Sequence, residues 1–232
     1  MSLIVSMIYP LSPLAKKRPM TDIARTDDIF YAQTGMDPER VGSRVDCALD
    51  GADDGELFLE YNQTESITFD DGRVRNANFD TSRGFGLRAV SGEATGYAHS
   101  TEMSEDAIAR AGETVRAVRT GHNGTVAETP AHTNRDLYTD VNPLGEIVFE
   151  DKVALLTEID AYARARDPRV RQVTASLSGN WQAVQIVRTG GDRRADIRPL
   201  VRLNISVMVG DGDRQETGSH GVGGRAAYNQ WI

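Results

Sequence analysis

Apolar positions along the chain switch from helical to alternating spacing and back, and the switches mark its elements. Asp37-Pro38-Glu39 is a helix start: an N-cap acceptor, a proline at the first helical position and an acid in the first turn. Val41, Val45, Ala48 and Ala52 follow at helical spacing, with Gly51 and Gly55 at the exit. From there the period shortens. Residues 56–62, 65–69, 73–80, 85–90 and 93–99 read as strands, with Asp70-Asp71-Gly72 and Ser91-Gly92 as turns. Connections this short allow only antiparallel neighbours, so the pattern predicts a meander.

Ser104 opens a second helix, with Glu105 and Asp106 at its positive end, Arg116 and Arg119 at its negative end, and Ile108, Ala111, Val115 and Val118 as one stripe. Residues 121–149 carry Gly121, Gly124, Pro130, Pro143 and Gly145 with little periodicity, the signature of a linker. A third helix is predicted over 150–166, with Val153, Leu156, Ile159 and Ala163 inward and Asp167-Pro168 as its end. Strands at 170–177, 181–188 and 197–209 follow, with Ser178-Gly179-Asn180 and Gly190-Gly191-Asp192 as turns. The expected fold is α+β: two lobes, 37–120 and 150–232, each with helices packed on an antiparallel β-meander. No residue-level repeat relates the lobes. Residues 1–36 are expected to be a leader or tag-like segment, because the apolar run Leu3 to Tyr9 precedes Lys16, Lys17 and Arg18, the reverse of a secretory signal, and is too short to span a bilayer. Met20 is a candidate natural start.

Composition narrows the partners. With 26 basic and 34 acidic residues, a net charge of −8 and 39% hydrophobic residues, the chain reads as a soluble globular protein and not as a duplex-binding surface, and neither nucleic acid nor membrane is expected as a direct partner. The single cysteine, Cys47, allows no internal disulfide and no Cys-x-x-Cys site, which suggests the cytoplasm. On its helix Cys47 is expected to be a small core residue.

The side chains offer no reaction of their own. None of His99, His122, His132 and His220 is followed by glutamate, as a helical metallopeptidase motif would require. Ser219 and His220 are adjacent on a predicted strand, hence on opposite faces, and cannot form a dyad. The six glycines between Gly210 and Gly224 lack the lysine and hydroxyl pair of a phosphate loop. They fit close backbone approach or tight turns. No catalytic residue and no metal ligand is assigned.

Four stretches carry a resemblance: Arg88-Ala-Val-Ser-Gly-Glu-Ala-Thr-Gly-Tyr-Ala-His-Ser100, Asp167-Pro-Arg-Val-Arg-Gln-Val-Thr-Ala-Ser-Leu-Ser-Gly179, Arg198-Pro-Leu-Val-Arg-Leu-Asn-Ile-Ser-Val207 and Gly218-Ser-His-Gly-Val-Gly-Gly-Arg225. In this order they resemble the amino-terminal half of the TldD/PmbA family, described as modulators of DNA gyrase and as zinc metallopeptidases, over roughly residues 37–232. The resemblance implies that the full-length protein holds zinc through a His-Glu-x-x-x-His helix and a downstream cysteine, with the glutamate as general base. That helix is expected beyond Ile232, no position here matches it, and this chain by itself is expected to bind no zinc and to be inactive. The implied partners are a PmbA/TldE-type paralogue or a second copy of the chain, and an unfolded peptide threaded as an extended strand. Main-chain hydrogen bonds to a sheet edge would hold such a peptide without a particular side chain, so Gly218, Gly221, Gly223, Gly224 and Arg225 are the candidate peptide or partner contacts. The other reading is a non-catalytic module that docks a partner protein or gyrase through its acidic surface.

Overall fold

The computed structural model describes residues 21–117 and 137–231. Eleven strands and helices carry the argument. α1 (Asp22–Asp27) runs into a π-helical turn (Asp28–Ala32) and is followed by α2 (Pro38–Leu49), β1 (Asp54–Asp70), β2 (Arg73–Ser91), β3 (Ala94–Ser100) and α3 (Glu105–Arg116). Beyond residue 136 come α4 (Pro143–Glu146), α5 (Phe149–Arg166), β4 (Val170–Val187), β5 (Arg193–Asp211) and β6 (Arg214–Gly224). The fold is α+β, as expected.

The helix starts form as their chemistry dictates. The Asp37 carboxylate accepts from the Glu39 and Arg40 amides at 2.9 Å, and the Ser104 hydroxyl accepts from the Ala107 amide at 3.1 Å. The strands all pair antiparallel in the order β3-β2-β1-β4-β5-β6. The two meanders therefore lie side by side, and β1 and β4, in register from Leu57↔Val187 to Asp70↔Thr174, join them into one sheet.

Buried strand residues fall almost entirely at odd positions, and the helices cover that face. One apolar cluster sets Leu57, Leu59 and Leu87 against Val41 and Val45 of α2 and Ile108 and Val115 of α3. The other sets Ile67, Leu177 and Val201 against Leu156 of α5 and Tyr228. Ile29 and Tyr61 touch both clusters. The even face carries mostly short polar side chains, such as the Asn62 and Asn180 pair, where Asn180 Nδ2 donates to Asn62 Oδ1 at 2.6 Å.

The structure differs from expectation at several places. Part of the stretch expected as leader is folded: Phe30, Tyr31 and Met36 are buried, and the Tyr31 hydroxyl donates to Gln185 Oε1 at 2.6 Å. Residues 1–20 lie outside the described residues, as do His122, His132 and most of the expected linker. Ser178-Gly179-Asn180 is not a turn but the middle of β4. Gly179 serves packing there, since a Cβ would run into the Tyr228 ring and Leu144. Finally, α5 turns Lys152, Leu156 and Asp160 inward, so two charged residues share the buried stripe.

Candidate functional site

β6 is the last strand of the sheet, and residues 214–223 are all exposed. Its glycines fall on both faces of the strand, and each sits differently. Gly221 pairs with Asn204 and Gly223 with Arg202, which places both on the even face. Arg202 Nε donates to Asn204 Oδ1 at 2.7 Å, and this pair lies over Gly221: a Cβ there would stand 2.7 Å from Asn204 Oδ1 and 3.0 Å from Arg202 Nη2. At Gly223 a Cβ would meet the Val201 carbonyl oxygen at 2.5 Å, which is backbone and cannot yield. Gly218 and Gly224 have open space. Gly221 thus keeps a surface low, Gly223 lets two strands approach, and the other two leave the edge bare. Ser176, Asn204, Ser206, Ser219 and Gly221 line a shallow depression with Arg202 on the even face beside this edge.

Arg225 leaves the strand and stacks its guanidinium on the Tyr138 ring, 5.1 Å from the centroid. The Tyr138 hydroxyl donates to both Asp196 oxygens at 2.9 Å, and Arg198 Nε donates to the same carboxylate at 2.5 Å. Burial, and then the Asp196 carboxylate that accepts its proton, push the Tyr138 phenol above its ordinary range. Arg225 is therefore held by Tyr138 at the end of β6, next to the glycines but tied to a different cluster.

The remaining candidates do not converge. Ser219 pairs with Ser206 and His220 with Ile205, on opposite faces as their adjacency requires. Cys47 is exposed and not in the core, because it falls beside the apolar stripe of α2, where the Arg116 guanidinium reaches its sulfur and its carbonyl oxygen. Among the described residues the donor set does not fit a zinc ion: His99 stands on β3 and His220 on β6, at opposite edges of a six-stranded sheet and so roughly 24 Å apart. Among the described residues no cluster of three or more His, Cys, Asp or Glu side chains could hold a metal. No helix among them is long and apolar enough to cross a membrane.

A second pair of glycines shapes the sheet toward its opposite edge. Gly84 and Gly86 line a second depression on the even face together with Phe58, Tyr97 and His99. A Cβ on Gly86 would stand 2.5 Å from the Tyr97 hydroxyl, so the Tyr97 ring, stacked on His99 at 5.8 Å, lies across the glycine. Two glycines two apart within a strand were the available signal.

Comparison with known proteins agrees with this architecture. Residues 55–119 match the model of PmbA/TldA metallopeptidase domain 1, and residues 142–230 match that of the PmbA/TldA metallopeptidase central domain. The chain is 39% identical over 176 residues to the metalloprotease TldD homolog of Haemophilus influenzae, covering 75% of this chain and 36% of that protein. It is 32% identical over 181 residues to the homolog from Buchnera aphidicola subsp. Schizaphis graminum, covering 78% and 38%. The chain thus spans less than two fifths of the length of these relatives. The fold is shared with a candidate modulator of DNA gyrase from Bacteroides thetaiotaomicron (TM-score 0.66, 13% identity, 84% of this chain and 46% of that one). It is shared also with TldE from Thermococcus kodakarensis (TM-score 0.55, 13% identity, 80% and 42%). With both domain models matched in order and close relatives of one name, the chain belongs to the PmbA/TldD family.

Proposed function

We propose that this chain is the amino-terminal portion of a TldD-type zinc metallopeptidase of the cytoplasm, and that it supplies the walls of the peptide cleft and the surface for pairing with a TldE-type paralogue or a second copy, while other residues of the full-length protein hold the metal. The two lobes, 37–120 and 150–232, would each contribute a meander to one continuous wall. The observation that carries this reading is the β6 edge: an exposed terminal strand whose glycines leave its backbone open and its even face low. An extended unfolded peptide can add to such an edge through main-chain hydrogen bonds, which hold any sequence and need no dedicated side chain. Gly218, Gly221 and Gly224 would admit the peptide, Gly223 would keep β6 close to β5, and Arg225 would mark the end of the edge.

The test is made in the full-length protein. Gly218→Val enters open space, and Gly221→Val displaces only the far ends of Arg202 and Asn204, so both variants are expected to fold. Each is expected to lower kcat/KM on an unfolded peptide by about tenfold or more. Unchanged cleavage together with unchanged pairing would remove the role of this edge. The reading as a docking module for gyrase or another protein draws support from the net charge of −8, which suits a basic partner surface. It predicts that the biological effect survives replacement of the metal-site glutamate.

A further inference from the structure

The sheet has a second open edge, on the far side from β6. β2 pairs with β1 from Arg73↔Asp70 to Val90↔Asp54, but β3 covers only the part from Phe85 to Ser91. At Ser100 the chain turns off across Gly84, where a Cβ would stand 2.8 Å from the Ser100 carbonyl oxygen. Among the described residues nothing pairs with the outer side of 73–83, and every residue in that stretch is exposed. Such an edge presents a row of unsatisfied N–H and C=O groups.

Its side chains are not those of an inert edge. Phe79, 60% exposed, shares the odd face with Arg83, roughly 13 Å away, while a bulge opposite Phe69 sets Arg73 across from Asp70 on the even face, so arginines flank Phe79 at both ends of the edge but from the two faces. Arg75 is 72% exposed although it donates to Asp70 at 2.8 Å. Three arginines stand against one aspartate, Asp80, in a chain whose net charge is −8. A two-fold antiparallel pairing of this edge with itself would gather six arginines against two aspartates, so charge opposes a second copy. It favours an acidic strand, and the arginines that repel basic or like edges select for it.

We propose that the outer edge of β2 over residues 73–83 is a strand-addition site for an extended acidic segment of a partner protein, with Phe79 as its apolar anchor. The added strand lies in line with β3 and begins at Gly84. This site is separate from the β6 edge and stands whether or not that edge receives a peptide.

The probe is a fluorescent, end-capped peptide of about ten residues that alternates Glu and Val, a length suited to one strand, titrated with the intact chain carrying Gly218→Val, which obstructs the β6 edge, and followed by anisotropy. A matching Lys and Val peptide is the control. Saturable binding of the acidic peptide alone is expected, weakening with salt. Arg73→Glu with Arg83→Glu should weaken it about tenfold or more, and so should Phe79→Ala, which keeps the charge. Equal binding of the basic peptide, indifference to both sets of β2 variants, or tighter binding of a single-stranded oligonucleotide of similar length would each overturn the proposal.

Discussion

The Lys152 ammonium donates to the Glu65 carboxylate at 2.6 Å inside the second apolar cluster, where Lys152 is 1% exposed. It also donates to the Leu144 carbonyl at 2.9 Å and lies over the Tyr228 ring, 5.1 Å from the centroid. One side chain thereby ties α5 to β1, to α4 and to the segment that follows β6. Removing it leaves a buried carboxylate without its cation, so Lys152→Ala is expected to cost about 3–5 kcal/mol in urea unfolding. Replacing both partners, Lys152→Met with Glu65→Leu, should cost much less than the sum of the single changes.

Tyr228 offers a sharper contrast. Its hydroxyl is buried and has no hydrogen-bond partner among the described residues. Tyr228→Phe should therefore leave stability unchanged or raise it slightly. Gly179→Ala places a methyl group against the same ring and should destabilise by about 1–3 kcal/mol. Thermal unfolding of the two variants separates a packing role for Tyr228 from a polar one.

Asp70 sets an acid limit at the β1–β2 turn. Gln172 donates to its carboxylate at 2.9 Å, Thr174 at 2.8 Å, and Arg75 lies at 2.8 Å; the two neutral donors foremost hold the carboxyl down at about 2. A carboxylate whose folded pKa lies below its unfolded value of 3.8 contributes stability that is present above pH 4 and is lost as pH falls toward about 2. Asp70→Asn should flatten the pH dependence of the unfolding midpoint in that window. A dependence as steep as that of the parent protein would count against it.

The exposed position of Cys47 makes the protein chemically simple to label. One thiol per chain should react with an aromatic disulfide reagent in the native state, without denaturant. Reaction only after unfolding would place Cys47 in the core, as its helix alone suggested.

Much of this arrangement was legible because local chemistry agreed with the fold. Asp37 and Ser104 cap the helices they were expected to start, and Asp70-Asp71-Gly72 turns with Asp71 at φ 51° and Gly72 at φ 81°. What stayed hidden depends on distant contacts. The polarity of Ser178-Gly179-Asn180 imitates a turn, yet Ser178 and Asn180 occupy the helix-free face while Gly179 yields to a tyrosine 49 positions downstream. Apolar periodicity could not place Lys152 and Asp160 on the buried side of α5, because they earn their positions from Glu65 and Arg164. The site was legible only as a run of glycines. Which of them faces Arg202, and which meets Val201, follows from the register of β6 on β5.

Amide hydrogen exchange in the full-length protein, with and without an unfolded peptide, tests the central claim most directly. The β6 edge as peptide wall predicts that the peptide slows exchange at amides within residues 214–224, with little change on β2. Unaltered exchange along β6, with protection confined to other segments, would contradict it.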